Sequence, residues 1–241
     1  MSETILDNQA KWEHYIEMLT PMDDELARSI FNDLEITQYM LRIIMGKPDL
    51  KLLEVHVQKE IENPGAHGVR LDALAVDSTG KHYNIEVQQE DSGAIPERAR
   101  FYSSIMDCRL LNKGDDYDEL VDTYVIFITA NDVLKGNKLI YHIDRMISET
   151  GEPFQDGSHI IYLNTAWKDD ASALGRLVHD LRCHQPEQMY HPPLANCVSR
   201  IKHSEKEKKT CHAITSAFGM RDEMRDCRRD CRRAVSMQLQ C

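Results

Sequence analysis

The spacing of hydrophobic positions changes several times along the chain, and each change marks an expected element. From Asp23 to Met45, residues Leu26, Ile30, Phe31, Leu34, Met40, Leu41 and Ile44 recur at helical intervals, with Pro21 just ahead of the start. Gly46, Lys47, Pro48 and Asp49 end that helix. Leu52 to Ile61 partly alternates, Leu53, Val55 and Val57 against Glu54, His56 and Gln58, and reads as a strand. A loop through Asn63, Pro64, Gly65 and Gly68 follows. Val69 to Val76 and His82 to Gln88 are strand-like runs around Asp77-Ser-Thr-Gly80-Lys81. Gly80 suits the left-handed position of a three-residue loop that pairs Asp77 with Lys81. Beyond Pro96, Glu97 to Leu111 reads as a helix with Ala99, Ile105, Met106 and Leu110 apolar. Thr123 to Thr129 is a continuous apolar run, as expected of a strand buried on both faces, and His159 to Asn164 is one more strand. The sum is a mixed α/β domain.

Past Pro192-Pro193 the composition becomes charged and helical. Met220, Met224, Cys227, Cys231 and Val235 fall on one narrow helix stripe. The expected organisation is therefore a domain over residues 1–198 and a charged helical tail over 199–241. A length of 241 residues accommodates one large domain with such an appendage.

Charge divides along the same line. Residues 200–233 hold 11 Lys/Arg against 6 Asp/Glu, while the remainder carries 18 basic and 34 acidic residues. An acidic body is unlike a nonspecific nucleic-acid binder, whose affinity comes from counterions displaced by Lys and Arg. It can still act on DNA where its carboxylates hold metal ions. The tail reads as an oligomerisation helix or as a basic arm for nucleic acid, and its interspersed acids favour association between copies. No run approaches the roughly 18 apolar residues of a spanning helix, so no membrane is expected. The charged N-terminus lacks a signal-peptide pattern, and the seven cysteines read as reduced thiols of a cytoplasmic protein. They show no zinc-finger spacing.

The hairpin carries the chemistry. If Asp77 pairs with Lys81, Asp72 lies opposite Glu86, Leu74 opposite Asn84 and Arg70 opposite Gln88. Side chains alternate with period two, so Arg70, Asp72, Asn84, Glu86 and Gln88 share one face, and Leu71, Ala73, Ala75, Tyr83, Ile85 and Val87 share the other. Two carboxylates directly across a ladder sit roughly 5 Å apart at Cβ. Their repulsion is on the order of 3 kcal/mol at an effective dielectric of 20. A divalent cation turns that cost into attraction, and hard oxygen ligands suit Mg²⁺ or Mn²⁺. The same spacing also fits an ordinary solvated hairpin face.

Asp72 with Glu86-Val-Gln88 resembles the core of the PD-(D/E)XK nuclease superfamily. More narrowly, the chain resembles the PD-(D/E)XK nuclease family transposases, related to the recombination-promoting nucleases. The matching segments are Met22 to Phe31, Leu41 to Met45, Val69 to Asp72, Asp77 to Gly80, Tyr83 to Gln88, Arg98 to Tyr102, Gly114 to Tyr117, Tyr124 to Thr129, Ile140 to Ile143 and Gly157 to Tyr162. They span roughly residues 20 to 195, in order. The resemblance implies a restriction-endonuclease-like α/β core, a mixed central sheet flanked by helices, with Asp72 and Glu86 as ligands of Mg²⁺ or Mn²⁺.

Gln88 then stands where the superfamily has lysine, a departure characteristic of this family. A neutral amide orients water but supplies no cation, and electrostatic stabilisation of phosphoryl transfer needs one. Arg70, opposite Gln88, is the candidate for that charge, and an Arg paired with a neighbouring acid is the alternative. The first helix often lends a further metal ligand in the superfamily. Asp24 matches best, with Asp23 and Glu25 as rivals. Arg98 and Arg100 are candidates for phosphate contacts, and Gln58 and Glu60 for the cleft wall. The function implied is a metal-dependent DNA endonuclease associated with transposition or recombination. A degenerate member that binds DNA or a partner without cutting is the alternative.

Overall fold

The computed structural model describes residues 14–61 and 69–204. The stripe from Met220 to Val235, and with it the expected tail helix, lies outside the described residues.

The first periodic stretch is two helices rather than one, α1 (Asp24–Phe31) and α2 (Leu34–Met45). The break is made by Asp33, whose extended backbone and side-chain oxygen cap α2 by accepting from the amides of Glu35 and Ile36. Its apolar residues keep the helical stripe on both sides of the break, which is why periodicity alone merged them. Gly46, at φ 61, ends α2 in the left-handed conformation glycine adopts without cost.

Six strands follow: β1 (Leu52–Ile61), β2 (Val69–Asp77), β3 (His82–Gln88), β4 (Thr123–Thr129), β5 (Ile140–Ile143) and β6 (Ser158–Asn164). They form one mixed sheet in the order β1-β2-β3-β4-β6-β5. β1, β2 and β3 are an antiparallel meander, β3, β4 and β6 run parallel, and β5 is an antiparallel edge. The hairpin register is the expected one: Val76 pairs with His82, Ala75 with Tyr83, Leu74 with Asn84 and Ala73 with Ile85. Gly80, at φ 84, turns the loop, and the Asp77 amide donates to the Lys81 carbonyl at 3.0 Å.

The helix α3 (Pro96–Leu110) crosses from β3 to β4, and α4 (Ala173–Leu181) and α5 (Pro192–His203) follow β6. Ala73, Ala75, Tyr83, Ile85 and Val87 join Ile126, Ile128 and the apolar sides of α1, α2, α4 and α5 in one core layer. Val125, Phe127 and Tyr162 on the opposite face pack with Ala99, Tyr102, Ile105 and Met106 of α3. Leu71 departs from the expected apolar set and packs in this second layer. Paired β2–β3 register ends at Ala73, so Leu71 lies where the two strands part. All seven residues of β4 are buried, as a strand covered on both faces must be.

The division expected at 198/199 falls inside α5, whose Val198 and Ile201 both lie in the core. Lys202 at its end is fully buried, its ammonium donating to the carbonyls of Glu17 (2.7 Å) and His184 (2.6 Å). Burial lowers its pKa, and those two carbonyls are what hold the charge inside. Among the described residues no helix is long and apolar enough to cross a membrane.

Candidate active site

The site forms where the hairpin ladder stops being a ladder. One residue beyond Ala73 and Ile85, side chains replace backbone acceptors. The Asp72 amide donates to Oε1 of Glu86 at 3.2 Å, and the Val87 amide donates to Oδ2 of Asp72 at 3.1 Å. Each carboxylate thus holds a backbone donor of the facing strand, and the two acids are locked side by side at the end of the sheet.

Their electrostatics are unfavourable as they stand. Glu86 is completely buried. Burial first, then the Asp72 charge, push its carboxyl up to about 8, against the weaker pull of the Asp72 amide and Arg98. Asp72 is also raised, chiefly by burial, with Asp24 adding and the Val87 amide, Arg98 and Arg28 opposing. Asn84, two residues before Glu86, is fully buried with neither amide atom in hydrogen-bonding geometry, although its dipole still favours the ionised Glu86. An acid pair and an orphaned amide in one buried place are the opposite of a satisfied structural network.

The cation beside this pair is Arg98, on the first turn of α3. Its guanidinium lies 3.5 Å from Oε2 of Glu86 and 3.4 Å from Oε1 of Gln88. Two further bonds anchor it, to the Gly93 carbonyl (2.8 Å) and the Tyr102 hydroxyl (2.7 Å), and it stacks over the Tyr102 ring. Gly93 sits so close that an added Cβ would fall 1.9 Å from the Gln88 side-chain oxygen. Glycine there is what allows Gln88 to reach Arg98.

Asp72 opens into a cleft of about 430 Å³ lined also by Asp24, Gln88, Gln89, Glu90 and Ser92, and Glu86 lies buried behind it. Asp24 is exposed at the start of α1, and its charge reaches Asp72. Its rivals Asp23 and Glu25 line the same cleft, Asp23 accepting from the amide and hydroxyl of Thr20 and Glu25 largely buried. Gln58 falls in register opposite Asp72, between the pairs Val57–Ala73 and Lys59–Leu71, at an unusual φ of 53.

Arg70 is placed elsewhere than expected. It is exposed and pairs in register with Glu60 of β1, whereas the β2–β3 register pairs end before it reaches Gln88. Arg100 is exposed on α3, two residues past Arg98 and so turned away from it. The structure thus brings together Asp72, Glu86, Gln88 and Arg98, with Asp24 at the same cleft, while Arg70 is exposed in register with Glu60 and Arg100 is exposed on α3. Sequence reasoning reached Arg98 only as a phosphate contact and missed Gly93. The one hint was Pro96, which starts α3 and fixes Arg98 two residues inside it.

Among the described residues no group of three or more His, Cys, Asp or Glu side chains closes into a metal cage. An oxygen-only donor pair, one member of which is pushed to keep its proton by burial and by the other acid, nevertheless fits a hard divalent ion. Mg²⁺ takes one or two carboxylates and completes its shell with water and phosphate.

Compared with known proteins, residues 33–171, more than half of the chain, match a family model described as PD-(D/E)XK nuclease family transposase. No curated protein and no solved structure matches.

Proposed function

From the chain's membership of the PD-(D/E)XK nuclease family transposases, we propose that it is a metal-dependent DNA endonuclease that hydrolyses phosphodiester bonds in transposition or recombination. The observation that carries this reading is the reciprocal locking of Asp72 and Glu86, a half-buried and a fully buried acid held together at the open end of the sheet. Asp72 and Glu86 hold Mg²⁺ or Mn²⁺, with Asp24 completing the acid set. When bound, the ion supplies charge neutralisation and Lewis-acid polarisation of the scissile phosphate.

The chain's own groups do the rest. Gln88 orients the attacking water through its amide. Arg98, fixed by Tyr102 and the Gly93 carbonyl, supplies the positive charge the missing lysine would have given, in place of Arg70. Its anchoring costs nothing at the moment of reaction, because the guanidinium is already in position. The deep burial of Glu86 keeps the local dielectric low, which strengthens each of these interactions.

A second reading, a degenerate member that binds DNA or a partner without cutting, is favoured by the neutral Gln88 and by the absence of a three-residue cage among the described residues. Incubation of supercoiled plasmid with Mg²⁺, Mn²⁺ or EDTA, beside Asp72→Ala and Glu86→Ala, separates the two. Metal-dependent nicking lost in both variants supports the nuclease. Absence of nicking under every condition favours the binding protein.

A further inference from the structure

A second cleft, of about 560 Å³, opens beside the acidic one and has the opposite charge. It is lined by Asn131, Trp167, Lys168, His179, Arg182 and His184 among others, and no carboxylate lines it. The acidic cleft is the converse, with only carboxylates among its charged lining residues. The two are neighbours at the same edge of the sheet, where the parallel strands β3, β4 and β6 end at Gln88, Thr129 and Asn164. Ligands of open α/β sheets collect at that carboxyl edge. What separates the clefts is thin: the Asn131 amide donates to Asp91 at 3.1 Å, and the Ala130 amide to the Gln88 carbonyl at 2.9 Å.

The chemistry of the second cleft is that of a nucleotide. Trp167 is half-buried, packed partly against the core, and offers its indole as one wall. Arg182 is fixed by donating to the carbonyls of Ala130 (3.0 Å) and Thr165 (3.4 Å), and no carboxylate among the described residues pairs with it. Lys168, next to Trp167, is exposed. The nearest buried acid, Asp180, is already occupied by His179, His191 and two backbone amides. An indole beside an arginine and a lysine is the pairing by which proteins hold unpaired bases and their phosphates.

We propose that this cleft binds an unpaired nucleotide of the DNA strand that runs through the acidic cleft, its base stacked on Trp167 and its phosphate met by Lys168 and Arg182. The substrate is then DNA with a single-stranded flank beside the cut. This rests on the reading of the acidic cleft as a DNA site, but not on cleavage.

The test is fluorescence anisotropy in EDTA, with the full chain and two labelled probes, a blunt duplex and the same duplex with an unpaired extension. Wild type should bind the extended probe about tenfold more tightly than the blunt one, the scale of one stacked base. Trp167→Ala and Lys168→Glu should each remove that preference, and Trp167→Phe should retain most of it. Should Trp167→Ala fail to fold, the exposed Lys168→Glu decides. Equal affinity of wild type for both probes, or a preference that survives both variants, overturns the proposal while leaving the nuclease reading intact. Preference without plasmid nicking overturns the nuclease reading and supports this one.

Discussion

Among the described residues two carboxylates are completely buried, Glu86 and Asp180, and their surroundings have opposite effects. Burial pushes both upward. At Asp180 the push is outweighed by four hydrogen bonds, from His191 Nδ1 (2.8 Å), His179 Nδ1 (3.0 Å) and the amides of Tyr190 and His191 (2.8 Å each), and its pKa falls below the ordinary range. Glu86 has one backbone donor, a distant guanidinium and a second acid against it, and rises to about 8. Asp180 ties α4 to the start of α5 and is fully satisfied within the fold. Glu86 has fewer and longer bonds, one from the Asp72 amide at 3.2 Å and one from Arg98 at 3.5 Å, and they do not offset its burial. Burial alone marks neither as functional; the partner set distinguishes them.

The largest break in the comparison comes from Asp180→Ala. It strands two imidazoles and two backbone amides, and should cost about 3–5 kcal/mol in urea unfolding. A loss below about 1 kcal/mol would mean the network is not what holds the two helices. On the other side, Arg98→Met should slow metal-dependent nicking by about 10²-fold, the usual effect of removing one preorganised cation or donor. Arg70→Met should leave the rate within a few fold. The reverse pattern would return the charge-stabilising role to Arg70.

Titration sharpens the contrast. Folded Glu86 keeps a proton that the unfolded chain releases, so its contribution to metal-free stability declines as pH rises from the ordinary 4.5 to about 8. Asp180 has the opposite sign: its folded pKa is lowered, so its contribution is present above the ordinary 3.8 and is lost as pH falls through the folded value. Denaturant midpoints of wild type and Glu86→Gln across this range should converge toward low pH and separate toward pH 8. The smallest structural change is Gly93→Ala. It pushes aside the flexible end of Gln88 rather than backbone, so stability should move by no more than about 0.5 kcal/mol. Nicking should nonetheless fall about tenfold, because one positioned hydrogen-bonding group is displaced.

How much of this was legible in the chain depended on how local its cause was. The hairpin register follows from Asp77, Gly80 and strict alternation, all within twenty residues, and it placed Asp72 opposite Glu86. β4 was legible because seven consecutive buried residues leave no other reading. The break at Asp33 was not, since one capping side chain decides it while the apolar stripe runs on. β5 was missed because a four-residue edge strand, half of it exposed, has little hydrophobic pattern to show. Arg98 and Gly93 were out of reach for a different reason. Their roles come from the way α3 returns its first turn to the end of β3, a tertiary contact that no spacing rule contains. Arg70 was favoured by extending the ladder through Gln88, and the structure parts the strands before that point.

The central claim is that Asp72 and Glu86 form a pair completed by a divalent ion, and thermal unfolding across a Mg²⁺ or Mn²⁺ titration of wild type and Glu86→Gln tests it most directly. At pH 8 without metal the variant should melt above wild type, by the equivalent of about 1–2 kcal/mol, because a buried repulsion has been removed. With added ion the wild type should climb past the variant, and the variant should not respond. Equal responses from both proteins, or a metal-free variant less stable than wild type, would contradict the account.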